Sequence, residues 1–415
     1  MGASLSILTS DDIASSVAPS GVFERPKSRW RSLAKSVAQG FSLIVFTLAF
    51  GEAFVRILCP QPVMPRYVTG TPWGVRGNIP YAHYWHYTPE VTIEYRINGQ
   101  GLRADHEFQT QKTAGTCRVA VFGDSLLMGY EVDLRDSFST RLEEQLRDRG
   151  FAVEVLNFSV SGFGTAEMLR TYEAFARHFD PDFVLFSWHM TDLEDNVRSD
   201  LYRMRNGKLA SANSSYLPGV RTQDFLMRFA VYRFVSDHSQ LYALLRERTG
   251  RFTKGLVLQL HQERVTAKMA AAAADTPNED EDDAIHAARV QVNRELSSAI
   301  VELAAKEVAA DGRAFYLVEI PIKESRTRFR SSVDVLSDAT RSRVNIISPL
   351  DTFTRVARPE VKLYYEQGEG HLTPYGVQLL ASEAAAALER TSRLSACRTK
   401  ITDAPLPHSA STPRP

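Results

Sequence analysis

The apolar run Arg118-Val119-Ala120-Val121-Phe122 leads straight into Gly123-Asp124-Ser125. It reads as a short buried strand that enters a turn and delivers a serine at its carboxyl end. In an open α/β sheet ligands bind at that end, so Ser125 is a candidate nucleophile. A serine hydroxyl needs a base within hydrogen-bond reach, a group to hold the base, and donors aimed at the developing oxyanion. His371 stands in a turn, Gly368-Glu369-Gly370-His371-Leu372-Thr373-Pro374, rather than on an apolar face, and is the candidate base. Ser125 at a helix N-terminus offers its own backbone N–H to an anion. Gly162, in the loop Asn157-Phe158-Ser159-Val160-Ser161-Gly162, lets a substrate approach its N–H closely because it has no side chain. Thr191, after a third apolar run, offers a hydroxyl, and His189 lies beside it.

Regular alternation of strand and helix places these residues. After the opening strand, Phe138, Leu142 and Leu146 recur at four-residue spacing within 136–149, and Gly150 follows as a stop. A second strand covers 152–158, and Thr165 begins a helix with Met168, Leu169, Tyr172, Phe175, Ala176 and Phe179 on one face. A third strand over 182–188 ends at His189-Met190-Thr191-Asp192. Short connections between such elements predict a parallel sheet with right-handed crossovers. An insertion with helical patterning and an acidic loop, 278–283, interrupts the repeat over about 197–284. A helix from about Ala284 to Gly312, strands at 315–320 and 344–348, and a helix after His371 complete the domain.

At 415 residues and 44% hydrophobic content the chain can bury one sizeable core with appendages. Lysine plus arginine, 49, equals aspartate plus glutamate, 49, so no global field points to nucleic acid. Cys59, Cys117 and Cys397 are distant, odd in number and without paired spacing, which argues against a disulfide framework or a zinc site.

Residues 1–35 read as an unstructured cytoplasmic lead with a basic flank from Arg25 to Lys35, and 36–58 as a transmembrane anchor. The basic flank places the N-terminus in the cytoplasm and everything after Cys59 outside, on the periplasmic or extracytoplasmic side of the cytoplasmic membrane. A cleaved secretory signal is the rival reading of the same stretch. Residues 59–116 form an extended lead segment rich in proline, with the cluster Tyr81, Tyr84, Trp85, His86 and Tyr87 and a strand over 91–97. Those aromatics either pack the segment onto the main domain or stack on sugar rings. The main domain spans 117–392, and 393–415 reads as a tail.

Taken in order, Gly123-Asp124-Ser125, Asn157 to Gly162, Thr191-Asp192 and His371 resemble the four sequence blocks of the SGNH, or GDSL, hydrolases. Gly51 to Arg56 and Ile97-Asn98-Gly99-Gln100-Gly101-Leu102-Arg103 are similar to the membrane-anchored bacterial members. The resemblance implies a three-layer α/β/α sandwich of flavodoxin-like type, no metal or other cofactor, and ester cleavage through an acyl-serine. It implies Ser125 as nucleophile, His371 as base, and Ser125, Gly162 and Thr191 around the oxyanion, supported by Asp124, Asp192 and His189. Two departures stand out. The family has asparagine where this chain has Thr191, and its acid lies three residues before the histidine, where this chain has Gly368. Glu369, two residues before His371, is then the candidate acid. The expected function is that of a membrane-anchored serine esterase or deacylase of the cell envelope, acting on an acylated small molecule or glycan. Acyl transfer to an envelope polysaccharide would use the same residues, and a binding or assembly protein with weakened catalysis is the reading from another class.

Overall fold

The computed structural model describes residues 27–272, 281–367 and 370–398. It divides into two bodies, residues 1–54 and 55–415. The first of these carries most of helix α1 (Lys27–Leu58), whose segment Trp30–Leu58 is long and apolar enough to cross a membrane. The helix starts before residue 36, because the basic residues ahead of the apolar stretch are themselves helical. Residues 27–35 of the lead expected to be unstructured over 1–35 are therefore helical, and what precedes Lys27 lies outside the described residues.

In the second body the lead segment makes two small antiparallel ladders. One joins β1 (Val68–Gly70) to β2 (Arg76–Asn78), the other β3 (His83–Tyr87) to β4 (Thr92–Arg96). The aromatic cluster is thus itself a strand. Alternation buries Tyr84 and His86 on one face while Trp85 and Tyr87 stay exposed. Tyr84 stacks on Tyr95 with ring centroids 5.5 Å apart.

The main sheet follows. Its first part runs β5 (Cys117–Phe122), α2 (Ser125–Met128), α3 (Phe138–Asp148), β6 (Val153–Asn157), α4 (Thr165–Ala174), β7 (Phe183–Trp188) and α5 (Thr191–Ser199). The insertion holds the hairpin β8 (Tyr202–Arg205) and β9 (Lys208–Ser211), then α6 (Val220–Leu226), α7 (Ala230–His238) and α8 (Gln240–Ala272). The acidic run expected to precede a helix lies largely outside the described residues, and α9 (Glu281–Ala310) begins within it. The chain closes through β10 (Ala314–Glu319), the short pair β11 (Ile322–Lys323) and β12 (Phe329–Arg330), α10 (Asp338–Arg343), β13 (Asn345–Ile347), α11 (Leu350–Val356), α12 (Pro374–Glu389) and α13 (Ser392–Ser395).

The five-stranded sheet has the order β13-β10-β7-β5-β6, and every pairing is parallel. The path leaves β5 for β6 on one side and then crosses to β7 on the other, so the strand order reverses beside β5. That is the topological switch point, where α/β sheets open a crevice. Because side chains alternate along each strand, two cores form. Ala120, Phe122, Val184 and Phe186 meet α4 and α9 on one face, while Val119, Val121, Phe183 and Leu185 meet α3 and α12 on the other. Phe138, Leu142 and Leu146, the four-spaced residues of α3, are all buried there. Each such side chain contributes about 1.5–3 kcal/mol when fully removed from water. The result is the three-layer α/β/α sandwich expected.

The cysteines correct the sequence reading. Cys117, the first residue of β5, forms a disulfide with Cys397 across a separation of 280 residues. Sequence spacing could not show this, since the two are brought together only when the sheet and the last helices have assembled. The tail expected from 393 also starts later. Leu394 is buried, Ala152 N–H donates to Cys397 O at 2.8 Å, and Arg398 bridges Phe151, while residues from 399 lie outside the described ones.

Candidate active site

The turn that presents Ser125 is tight for a packing reason. A Cβ on Gly123 would sit 2.6 Å from Ser187 Oγ and 2.7 Å from Leu127 Cβ, so only glycine lets β5 turn against β7 here. Asp124 then caps α2, its Oδ1 accepting from Leu126 N–H at 2.8 Å. Gly129 ends that single turn in the left-handed region, at φ 77°, and Tyr130 N–H returns to Ser125 O at 3.0 Å. The chain is thereby folded back on the nucleophile within six residues.

The fold-back carries the acid. Ser125 Oγ lies 2.7 Å from His371 Nε2, and His371 Nδ1 lies 2.9 Å from Glu131 Oε2. The same oxygen accepts His371 backbone N–H at 3.1 Å. Glu131 is fully buried and His371 nearly so. A carboxylate on Nδ1 holds the proton there and leaves the Nε2 lone pair facing Ser125, which is the tautomer a general base needs. Glu369, the sequence candidate for this role, lies outside the described residues.

His371 is delivered by the approach to α12. Tyr365 N–H donates to His371 O at 2.8 Å and Thr373 N–H to Leu363 O at 2.9 Å, while Thr373 Oγ1 caps the helix by accepting from Gly376 N–H. Tyr130 covers the imidazole with ring centroids 5.1 Å apart.

The lead segment grips the other side of the fold-back. Arg103, almost wholly buried, donates to Met128 O at 2.7 Å and also to Gly129 O, and its other Nη donates to Val132 O at 2.5 Å. Tyr95 Oη donates to Gly129 O at 3.0 Å. His86, fully buried, pairs Nδ1 with Tyr130 O at 3.0 Å, and burial pushes its pKa down to about 4, so this ring is neutral and donates from Nδ1.

Loops after β6 and β7 complete the site. Asn157 Nδ2 donates to Leu127 O at 3.0 Å, and its Oδ1 accepts Ser159 N–H at 3.0 Å, so one side chain ties the nucleophile's helix to the glycine loop. Gly162 takes φ 77°, and Arg76 Nη2 donates to its carbonyl at 2.5 Å while pairing with Glu167 at 3.1 Å. Neither Ser125 N–H nor Gly162 N–H has a protein acceptor among the described residues. At the third position, Thr191 Oγ1 lies 3.1 Å from His189 Nδ1. Burial lowers the His189 pKa despite the nearby Asp124 carboxyl, so the ring is neutral. The Thr191 N–H also lies 3.5 Å from Nδ1. Asp192 accepts His189 N–H at 2.8 Å and pins the β7 turn, and burial, reinforced by Asp124, raises its own pKa well above the usual carboxylate range. Burial raises Asp124 too.

The serine, histidine and carboxylate thus stand in one hydrogen-bonded line at the carboxyl end of the sheet. No family model matches the chain, and no curated protein does. Solved structures that match include a member of the lipolytic protein G-D-S-L family from Veillonella parvula DSM 2008, at 12% identity over 66% of this chain and 100% of that one, TM-score 0.35. A lipase/acylhydrolase from Enterococcus faecalis matches at 13% identity over 66% and 95%, TM-score 0.35. The acetyl xylan esterase AlAXEase matches at 11% identity over 65% and 99%, TM-score 0.33.

In this site Ser125, His371 and Glu131 form one hydrogen-bonded line. Gly162 and Asp124 stand on the loops around it, and Thr191, His189 and Asp192 form a neighbouring cluster at the end of β7. Sequence reasoning missed Glu131 and Arg103. The available signal for Glu131 was Gly129, which stops the helix one turn after the nucleophile and sends the chain back.

Proposed function

We propose that this protein is a serine esterase or deacylase of the cell envelope, held in the cytoplasmic membrane by α1. The observation that carries the reading is the line from Ser125 Oγ through His371 Nε2 and Nδ1 to Glu131 Oε2, at 2.7 and 2.9 Å. Ser125 Oγ attacks an acyl carbonyl as its proton passes to His371 Nε2. The tetrahedral oxyanion receives Ser125 N–H and Gly162 N–H. His371 returns the proton to the departing alkoxide, leaving acyl-Ser125, and the same imidazole then activates water to release the acid. Glu131 stabilises the imidazolium in both halves.

Placement outside the cytoplasm is supported by two features. The apolar helix Trp30–Leu58 follows a basic flank, Arg25 to Lys35, which favours a cytoplasmic N-terminus. The Cys117–Cys397 disulfide is of a kind that persists in oxidising compartments. An acylated, including acetylated, envelope glycan as substrate rests on that location and on analogy of fold.

The test uses the full-length protein in detergent with a fluorophosphonate serine probe and an activated acetate ester. Labelling and hydrolysis that both vanish in Ser125→Ala and His371→Ala support the reading. A folded wild-type protein that neither labels nor turns over the ester refutes it and leaves a binding or assembly role.

A further inference from the structure

A pocket of about 330 Å³ opens directly beside the oxyanion loop. Ser161 and Gly162 form one wall, and Tyr130, whose ring covers His371, forms another. The remaining walls come from the lead segment and from the insertion helices, through Arg66 and Arg76 on one side and Arg246 of α8 on the other. The volume suits a group the size of one sugar ring.

The charge of this pocket is one-sided. Three guanidinium groups line it and no carboxylate does. Arg66 pairs with Asp224 at 2.5 Å and Arg76 with Glu167 at 3.1 Å, both acids lying outside the lining. Arg246 makes no ion pair within 4 Å of a described residue; it lies 5.7 Å from the Tyr242 ring centroid and acts at longer range on the Asp237 carboxyl. Arg76 also keeps its Nε buried without a hydrogen-bond partner. All three acids that act on these guanidinium groups, Asp224, Glu167 and Asp237, lie outside the lining, so the pocket's own surface presents cations next to donors such as Ser161 and Gln223. A neutral alcohol would gain only ordinary hydrogen bonds from that arrangement. A carboxylate or phosphate would gain charge-assisted hydrogen bonds in a partly desolvated pocket.

We propose that this pocket binds an anionic group carried on the alcohol side of the ester, so that the substrate is an acylated acidic sugar or similar anion rather than a neutral one. The proposal rests on the esterase reading: Tyr130, which packs on His371, and Gly162 line the pocket, while Ser125 and His371 themselves do not.

The experiment compares O-acetylated methyl galacturonoside, its uncharged galactoside counterpart and the galactoside 6-phosphate, with full-length protein in detergent. The wild type is expected to prefer an anionic ester by at least about tenfold in kcat/KM, the size of one added charge-assisted hydrogen bond. Arg246→Gln is expected to lower that preference about tenfold, while Arg246→Lys retains most of it. The carboxylate and phosphate arms show which anion the pocket takes. A preference near one in the wild type, or one that survives Arg246→Gln, overturns the proposal while leaving the esterase reading standing. Calorimetric binding of unacetylated methyl galacturonoside, stronger than that of the galactoside and weakened by Arg246→Gln, in a protein with no ester turnover, keeps the pocket and removes the esterase.

Discussion

Replacing Glu131 by glutamine changes one atom of a buried side chain and tests the relay directly. Glu131 Oε2 accepts both His371 Nδ1–H at 2.9 Å and His371 backbone N–H at 3.1 Å. Glutamine has the same length, but only one of its two terminal atoms accepts. With its carbonyl oxygen where Oε2 stands, both donors are still met and only the charge is lost. With the amide turned over, its NH₂ opposes both donors, and the ring can accept from it only by moving its proton to Nε2, where Ser125 needs an acceptor. Loss of the charge also removes stabilisation of the imidazolium. The wrong tautomer in a serine triad lowers turnover about 10³–10⁴-fold, which is about 4–5 kcal/mol of barrier. Labelling rate with the fluorophosphonate and kcat on an activated acetate ester should both fall by that amount. The urea midpoint serves as the control for folding. Glu369→Gln, assayed alongside, should leave both rates unchanged. Activity of Glu131→Gln within tenfold of wild type, or collapse on Glu369→Gln instead, would refute the assignment of the relay.

Three further outcomes follow from buried contacts. Arg103→Met strands the carbonyls of Met128, Gly129 and Val132, so unfolding should become easier by about 3 kcal/mol or more, measured by urea titration, with serine labelling lost in parallel. Removing the disulfide through Cys117→Ser with Cys397→Ser frees a closure of 280 residues and should cost about 2–4 kcal/mol, read as a lower melting temperature that reducing agent reproduces only in the wild type. His86 has a folded pKa of about 4 against an ordinary 6.5, so the unfolded chain takes up a proton that the folded one refuses. Stability should fall as pH drops from 6.5 to 4, and His86→Phe should remove about 3 kcal/mol of that slope between the two limits.

Local patterning made most of the scaffold legible. Phe138, Leu142 and Leu146 mark the face of α3 because a helix must repeat its apolar residues every turn. The apolar runs 117–122 and 183–188 mark parallel strands because both of their faces are covered. Ser125 and His371, which the structure brings to 2.7 Å, were legible because turns beside strands and helices are where hydroxyls and bases are exposed. What stayed hidden depended on contacts distant in sequence. Glu131 looks like any turn carboxylate until His371 arrives from 240 positions away, and Arg103 looks like a surface arginine until the Met128–Val132 turn closes around it. The Cys117–Cys397 pairing is of the same kind.

The placement of the acid changes which parts of the chain must act together. With Glu131 on the fold-back, nucleophile, acid and the Gly162 loop are all fixed by the first half of the main domain and by Arg76, Asn78, Arg103 and Tyr95 of the lead segment. Asn78 Nδ2 alone spans the lead segment and the glycine loop, donating to Gly101 O at 3.0 Å and Ser159 O at 3.1 Å. The imidazole is then the single part that arrives separately, on the approach to α12. That helix packs beside α3 under the same sheet, and the chain just beyond it is tied by Cys397 to the first residue of β5, the strand that ends at the nucleophile. A strand clamped at its start to the segment after α12, and carrying Ser125 at its end, limits the relative movement of serine and histidine to what the sheet itself permits. An acid placed on the histidine's own loop would move with the imidazole and could not report whether that docking had occurred. Glu131 meets His371 only when α12 is seated, so the relay forms together with the tertiary fold rather than ahead of it.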